Sequence, residues 1–232
     1  MLLDYIFPRR CPLCEEIITN NKLLTCEKCS EKDFFINGPR CKKCGKEISL
    51  AEKEYCYDCE KRPHKFDMGI SAFRHTKEVK NSIYRFKYSN KREYKDFFCD
   101  SIIKRTGKII KSWDADVLIP VPLHKSKLII RGYNQSEVLS KNLSKKLGIP
   151  CNTSILIRDK KTVPQKELST VQRKKNLENA FKINGDIVQY KKIILVDDIY
   201  TTGNTIDACS EVLRKKGAEK VYFITLSVGE GI

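Results

Sequence analysis

Eight of the eleven cysteines stand in four Cys-x-x-Cys pairs within the first 59 residues. Each pair can present two thiolates from one tight turn to a tetrahedral zinc ion, and a second pair completes the four ligands. Eleven residues separate each pair from the next, which is enough chain for a short hairpin to bring two pairs together. The spacing therefore predicts two zinc sites of four cysteines each, built from Cys11, Cys14, Cys26, Cys29, Cys41, Cys44, Cys56 and Cys59.

The equal gaps leave the pairing open between a sequential and an interleaved arrangement. Gly38-Pro39 lies between the second and third pairs and indicates a break between two ribbons. This favours one ion held by the first two pairs and another held by the last two. A disulfide framework or a redox dithiol is the alternative use of these cysteines, but four pairs without a secretory signal favour zinc. Such ions are structural, because four protein ligands leave no position for water. Since the cysteines already complete both sites, His64 is predicted to be a surface residue rather than a ligand.

A second group of polar residues follows an apolar run nearer the carboxyl end of the chain. The run 193–196 is followed by Asp197 and Asp198 and then by Thr-Thr-Gly-Asn-Thr at 201–205. Where a helix begins, backbone N–H groups and threonine hydroxyls suit a phosphate, and Gly203 lets the backbone come close to it. The two carboxylates would repel that phosphate, so we interpret them as acceptors for ribose hydroxyls or as Mg²⁺ ligands. A sugar phosphate along this turn would satisfy every group.

The apolar periodicity places these groups on an alternating series of strands and helices. Strands are predicted over 68–73, 116–120, 193–196 and 221–226, and helices over 76–86, 94–110, 136–147 and 206–213. This alternation predicts an α/β fold with a mainly parallel sheet. Residues 1–65 would form the zinc module and residues 66–232 the α/β domain. Replacing Cys41 would then unfold the module and leave the phosphate-binding loop largely intact.

Charge is distributed unevenly between these two parts. The chain carries 45 Lys and Arg against 29 Asp and Glu, a formal charge of +16, of which residues 66–232 contribute +14. Such a surplus favours a polyanionic partner such as nucleic acid, a nucleotide or an anionic membrane face. No apolar run approaches the roughly 20 residues of a membrane helix, and the opening apolar segment is too short for a signal sequence. The sequence thus predicts a cytoplasmic protein with no membrane insertion.

The phosphate-binding loop and the cysteine module together resemble a known family. The apolar strand, the two acids and Thr-Thr-Gly-x-Thr are similar to the 5-phosphoribosyl-1-pyrophosphate (PRPP) motif of type I phosphoribosyltransferases. With the cysteine module and segments 119–124, 131–135 and 164–181, the chain resembles the ComF family from about Cys11 to Leu226. The resemblance implies a type I phosphoribosyltransferase-like fold, with helices flanking the sheet and an N-terminal double zinc ribbon.

The same resemblance implies a role for each matching segment. Asp197 and Asp198 match the acid pair of the catalytic motif and would hold the ribose hydroxyls of PRPP, which would arrive with Mg²⁺. Arg131 would clamp the pyrophosphate beside Gln135. The 5′-phosphate would be held by Thr201, Thr202, Gly203, Asn204 and Thr205, and a mobile hood would add Gln165 and Arg173.

Two functions are compatible with this resemblance. In purine-salvage transferases an acid commonly precedes the Thr-Gly step and accepts a proton from the base, and here Thr201 stands in that place. No other His, Asp or Glu is an evident general base. The missing acid therefore favours binding of PRPP or a related phosphoribosyl ligand over transfer, and the ComF resemblance implies a DNA-uptake protein of natural transformation. The alternative is an active phosphoribosyltransferase that transfers 5-phosphoribose to a nucleobase-like acceptor.

Residues 83–95 interleave basic side chains with aromatic ones. This composition is typical of surfaces that hold single-stranded DNA through phosphate contacts and base stacking. The alternative is an amphipathic helix whose basic groups simply face solvent. The charge of the larger part and the ComF resemblance favour contact with single-stranded DNA or with a helicase partner. The predicted DNA-contacting residues are Arg85, Lys87, Lys91 and Arg92.

Overall fold

The structure is a computed structural model that describes residues 8–20, 22–50, 52–159 and 180–229. The helices are α1 (Glu27–Ser30), α2 (Tyr57–Lys61), α3 (Lys77–Tyr88), α4 (Tyr94–Ser112), α5 (Lys125–Arg131), α6 (Gln135–Leu147) and α7 (Asn204–Lys215). The strands are β1 (Met68–Arg74), β2 (Val117–Pro120), β3 (Leu156–Arg158), β4 (Phe181–Ile183), β5 (Lys192–Val196), β6 (Ile199–Tyr200) and β7 (Lys220–Val228).

A parallel sheet forms the centre of the larger part of the chain. Its strands are ordered β1-β7-β5-β2, each neighbouring pair is parallel, and the short strand β6 pairs with the end of β7. Strands β3 and β4 form a separate antiparallel hairpin. The predicted α/β fold with a mainly parallel sheet is therefore confirmed. Because the strands run parallel, their carboxyl ends meet at one edge of the sheet, where the segment after β5 lies.

The longer helices begin close to where the sequence predicts them. Thr76 caps α3 by accepting a hydrogen bond from the backbone N of Val79 at 3.4 Å, while Ile83 and Phe86 are buried on the same face. Helix α5, the β3–β4 hairpin and β6 were not predicted, because elements of two to seven residues give little periodicity. Within the described part of the chain, no helix is both long and apolar enough to cross a membrane.

Each face of the sheet is covered by helices and by one zinc ribbon. We call residues 8–36 the first ribbon and residues 39–61 the second ribbon. On one face, Ile194 and Ile224 share a core with α3, α4, α6 and the first ribbon. On the other face, Ile193 packs with α7, the β3–β4 hairpin and the second ribbon. The zinc ribbons and the α/β part of the chain thus share their hydrophobic cores. The sequence had suggested that the two parts fold independently.

The first ribbon also covers the outer edge of β1. The backbone N of Ile36 donates to the carbonyl of Ala72 at 3.0 Å, and the backbone N of Arg74 donates to the carbonyl of Phe34 at 2.9 Å. Between these bonds Phe35 pairs with Phe73 in an isolated antiparallel bridge. The backbone groups on the open side of this edge strand are therefore paired within the chain.

Candidate phosphoribosyl site and zinc centres

The eight paired cysteines form two clusters in the structure. In each cluster the four sulfurs lie within 4.8 Å of one another, and the Sγ–Sγ distances are 3.5 Å for Cys14–Cys26 and 3.7 Å for Cys44–Cys56. A tetrahedral zinc ion with Zn–S bonds of about 2.3 Å has sulfur–sulfur edges of about 3.8 Å, so both clusters fit zinc. The clusters are Cys11, Cys14, Cys26 and Cys29, and Cys41, Cys44, Cys56 and Cys59.

Sequential pairing is therefore confirmed, and all eleven cysteines are free of disulfides. Four thiolates around each ion leave no position for a water molecule, so the role of zinc in both ribbons is structural. Most of these sulfurs lie in the shared cores, and Cys11 and Cys44 are at most 1% exposed. The ions therefore hold together segments that the sheet needs for its own packing.

The side chain of His64 is buried, and the prediction that it lies at the surface is wrong. Its side chain is 1% exposed, and its Nδ1 lies 2.8 Å from Oδ2 of Asp207. The imidazole ring stacks on Phe66 with the ring centroids 4.7 Å apart. Burial is tolerated because a carboxylate and an aromatic ring replace water around the imidazole.

The two acids of the PRPP motif occupy a tight turn directly after β5. The backbone N of Asp197 donates to the carbonyl of Ile224, and the backbone N of Leu226 donates to the carbonyl of Asp198, both at 3.0 Å. Oδ1 of Asp197 accepts hydrogen bonds from the Ser136 hydroxyl and from the Asp198 backbone N, both at 2.9 Å. The turn is thus fixed to β7 on one side and to the start of α6 on the other.

A lysine ammonium group faces this acid pair. Asp198 is 5% exposed and its Oδ2 forms an ion pair with Lys87. Asp197 lies deep among protein atoms, although part of its surface stays open to solvent. Burial raises the pKa of the Asp197 carboxyl to about 6, while Lys87, Arg158 and Arg131 act in the opposite direction. The site therefore combines one buried and one partly exposed carboxylate with several nearby cations.

The predicted phosphate loop lies at the beginning of α7. Gly203 is the N-cap of this helix and has a φ of +78°, a left-handed conformation that favours glycine. Within the described residues, the hydroxyl of Thr202 and the amide nitrogen of Asn204 are buried without a hydrogen-bond partner. Unpaired buried donors at a helix N-terminus suit the oxygens of a phosphate. The structure thus brings the five residues from Thr201 to Thr205 together beside the acid pair.

Cations gather on the side predicted for pyrophosphate. The Arg131 guanidinium lies 4.7 Å from the centroid of the Tyr88 ring and donates to Oε1 of Gln135. Burial lowers the pKa of Arg158 and of Lys127, and for Lys127 the charges of Arg158 and Arg131 lower it further. Cations that repel one another gain from a polyanion placed between them.

Two of the four predicted DNA-contacting residues make contacts inside the molecule. The Arg85 guanidinium donates to the carbonyls of Pro12 and Leu13 at 2.9 and 3.2 Å, which ties α3 to the first ribbon. Lys87 points to the acid pair, as described above. The basic composition predicts that both side chains are exposed, but they point inward, because they flank the buried residues of α3. Lys91 and Arg92 lie beyond the end of α3, and Arg92 is exposed.

The sequence did not identify Lys127, Ser136 and Arg158 as residues of the site. It also did not identify Lys87 as a neighbour of the two acids. Lys87 carried a usable signal, since it follows the core residue Ile83 by one helical turn. The others are brought to the site by tertiary packing alone. The predicted hood residues Gln165 and Arg173 lie outside the described residues.

Comparison with known proteins agrees with this arrangement. Residues 134–228 match the phosphoribosyl transferase domain family, and residues 2–60 match the double zinc ribbon domain family. Competence protein F of Haemophilus influenzae is 32% identical over 230 residues, which cover 93% of this chain and 95% of that protein. The chain belongs to the ComF family. The resemblance seen in the sequence and the phosphoribosyltransferase-like fold are therefore confirmed.

Two further relatives are similar to this ComF chain along most of their length. Competence protein ComFC of Bacillus subtilis is 27% identical over 208 residues, 87% of this chain and 82% of that protein. DNA utilization protein YhgH of Escherichia coli K12 is 26% identical over 221 residues, 92% of this chain and 94% of that protein. The similarity thus extends over the ribbons and the phosphoribosyltransferase-like part together.

Proposed function

We propose that this ComF-family protein binds PRPP or a related phosphoribosyl ligand in the cytoplasm and acts in DNA uptake during natural transformation. The observation that carries the proposal is the meeting of Asp197, Asp198 and the loop 201–205 at one sheet edge. There, carboxylates for ribose hydroxyls lie beside unpaired donors for a phosphate. Arg131 and Arg158 supply positive charge on the side where the pyrophosphate of PRPP would lie.

Mg²⁺ would enter this site with the ligand rather than as a resident ion. Oδ1 of Asp197 already accepts two hydrogen bonds, Oδ1 of Asp198 accepts one, and Oδ2 of Asp198 pairs with Lys87. Mg²⁺ needs near-octahedral oxygen coordination, and three of the four carboxylate oxygens of the acid pair are already engaged. When bound with PRPP, the ion would neutralise charge on the pyrophosphate oxygens. The residues of the chain would orient the ribose and hold the 5′-phosphate.

Binding is favoured over transfer of the ribose. Thr201, which has no acid-base function at neutral pH, stands where purine-salvage transferases carry a proton acceptor. His64 contacts the loop region, but its Nδ1 faces Asp207 and its Nε2 lies 3.4 Å from the Tyr200 hydroxyl. Release of pyrophosphate from PRPP when a nucleobase is added would instead establish the alternative function, an active phosphoribosyltransferase.

The proposed ligand site can be tested by calorimetry with PRPP and Mg²⁺. Hydrogen bonds to charged groups are worth roughly 1.5–3 kcal/mol each, so changing Asp197→Asn and Asp198→Asn together should weaken binding by at least about tenfold. Asp100→Asn is the matched control, because Asp100 pairs with Lys146 on the surface and should leave the affinity unchanged. A zinc-replete wild-type protein that binds no PRPP at millimolar concentration would refute the proposal.

The DNA-related role is supported by the names of the relatives and by an exposed aromatic pair. The relatives are called competence protein F and DNA utilization protein YhgH. Tyr84 and Tyr88 are 60% and 59% exposed, with their ring centroids 4.8 Å apart. Exposed rings a few positions before Lys91 and Arg92 in the sequence suit single-stranded DNA, whose bases stack without sequence preference. A helicase that delivers the strand is the protein partner proposed for this role.

The DNA contact can be tested by fluorescence anisotropy of a labelled oligonucleotide at several salt concentrations. For single strands each phosphate neutralised by the protein adds about 0.7 to the logarithmic salt slope, so Lys91→Ala with Arg92→Ala should flatten the slope by about twice that amount. Lys108→Ala with Lys111→Ala, two exposed residues near the end of α4, is the control. If wild type and the Lys91→Ala, Arg92→Ala variant have the same salt slope, Lys91 and Arg92 do not contact DNA phosphates.

A further inference from the structure

The segment that connects the second zinc site to β1 lies against the phosphate loop. Nη1 of Arg62 donates to the carbonyl of Thr202 at 3.3 Å, and Nη2 donates to Oδ1 of Asn204. The backbone N of Lys65 donates to Oδ1 of Asp207 at 2.7 Å. The loop and the first turn of α7 are therefore held by residues that come three to six positions after the last zinc-binding cysteine.

The same segment forms a packed floor beneath the loop backbone. A Cβ atom added to Gly203 would lie 2.9 Å from Cε1 of His64 and 2.7 Å from the Tyr200 hydroxyl. His64 in turn is fixed by Asp207 and by stacking on Phe66. The loop backbone therefore cannot move toward this side unless the segment 62–66 moves as well.

The zinc site determines where this segment begins. Two residues separate Cys59 from Arg62. Cys59 lies within the short helix α2, which is N-capped by Cys56 and ends directly before Arg62, and the Cys59 backbone N donates to the Cys56 carbonyl at 3.0 Å. Structural zinc supplies most of the folding free energy of small ribbons. The position of Arg62 therefore depends on the ion held by the second ribbon.

We infer that Arg62 is a positioning residue through which zinc in the second ribbon controls binding of the phosphoribosyl ligand, an inference that rests on the proposed function. By occupying the Thr202 carbonyl and Oδ1 of Asn204, the guanidinium fixes the loop and leaves the Asn204 amide nitrogen as a donor. The coupling is reciprocal, so bound ligand makes this zinc ion harder to remove by the same factor as zinc improves ligand binding.

The test measures zinc loss and ligand binding in the same preparations. Zinc-replete wild type, Arg62→Met and Arg62→Lys are mixed with a chromogenic zinc chelator, with and without saturating PRPP, and PRPP affinity is measured by calorimetry. In wild type at equilibrium with the chelator, saturating PRPP should raise the zinc affinity of one of the two sites by at least about fivefold, the lower end of typical coupling factors. Arg62→Met should keep two zinc ions, lose this protection and bind PRPP at least about fivefold more weakly. Arg62→Lys, which keeps the charge but not the planar fork, should lie between them.

Arg105→Met is the matched control. Arg105 also joins the two parts of the chain, with its guanidinium 4.1 Å from the Phe35 ring centroid and a hydrogen bond to Asn37 of 3.0 Å, and both of these partners lie outside the phosphate loop. This variant should keep the gain in zinc affinity that PRPP produces in wild type. If Arg62→Met keeps both the protection and the wild-type affinity, the inference is overturned while the proposed function stands. If wild type binds no PRPP at all, the proposed function is overturned together with the inference.

Discussion

Removing the ammonium group of Lys87 should destabilise the protein, because the Asp198 carboxylate would stay buried without its counter-charge. The side chain of Lys87 is 18% exposed and that of Asp198 is 7% exposed, so water can replace little of the broken ion pair. Lys87→Met is the suitable change, since methionine keeps most of the aliphatic length of lysine and removes the charge.

The expected loss of stability lies between two limits. Removing one partner of a fully buried ion pair costs roughly 3–5 kcal/mol, and an exposed pair contributes at most about 1 kcal/mol. Because Lys87 keeps some contact with solvent, we expect the free energy of unfolding to fall by about 2 kcal/mol. Asp198→Asn alone should also destabilise the protein, since it removes the carboxylate with which the Lys87 ammonium forms its ion pair. The variant with both changes should lose less than the sum of the two single losses, by about 1–2 kcal/mol.

Urea denaturation of the zinc-replete proteins, followed by circular dichroism, measures this coupling. Wild type, the two single variants and the double variant complete the cycle. The pair Lys146–Asp100 is the control, because its nitrogen–oxygen distance is 2.6 Å but its side chains are 37% and 46% exposed; its coupling should stay below about 1 kcal/mol. A coupling between Lys87 and Asp198 no larger than that of the control would show that water, and not the lysine, compensates Asp198.

Elemental analysis should find two zinc ions per chain. Cys41→Ser should remove one of them and weaken PRPP binding by at least about fivefold, because the second ribbon holds the phosphate loop. Unchanged PRPP affinity in this variant would show that the ligand site is independent of the second ribbon, as the sequence suggested. Asp197→Asn should gain stability relative to wild type as the pH rises. The folded-state pKa of about 6 lies above the ordinary value of 3.8, so the folded protein binds more protons and wild-type stability falls through this range. Denaturation between about pH 5 and pH 7 should show a relative gain of about 1 kcal/mol, and a constant difference would contradict the raised pKa.

The zinc sites and the turn before α7 could be predicted because their residues are neighbours in the sequence. A Cys-x-x-Cys pair defines its own turn, and the equal gaps with Gly38-Pro39 were enough to favour the sequential pairing that the sulfur positions confirm. In the same way, the apolar run before Asp197 predicted β5, and the threonines after Asp198 predicted the start of α7.

The surroundings of the loop could not be predicted, because their partners are distant in the sequence. Arg62 contacts Asn204 across 142 positions, and His64 contacts Asp207 across 143. Lys87 was assigned to DNA because a run of basic residues is usually exposed, whereas its position one turn after Ile83 places it next to the core. Composition describes how much charge a segment carries, but only packing decides which charges are turned inward.

The antiparallel bridge between Phe35 and Phe73 has a consequence for the behaviour of the protein at high concentration. A bare edge strand offers its backbone to any other extended chain and is a common starting point for aggregation. Here that edge is closed by the stretch that follows the first zinc site, through the bonds of Ile36 and Arg74. Loss of the first zinc ion would therefore do more than loosen a small module: it would expose backbone groups of β1 and favour self-association.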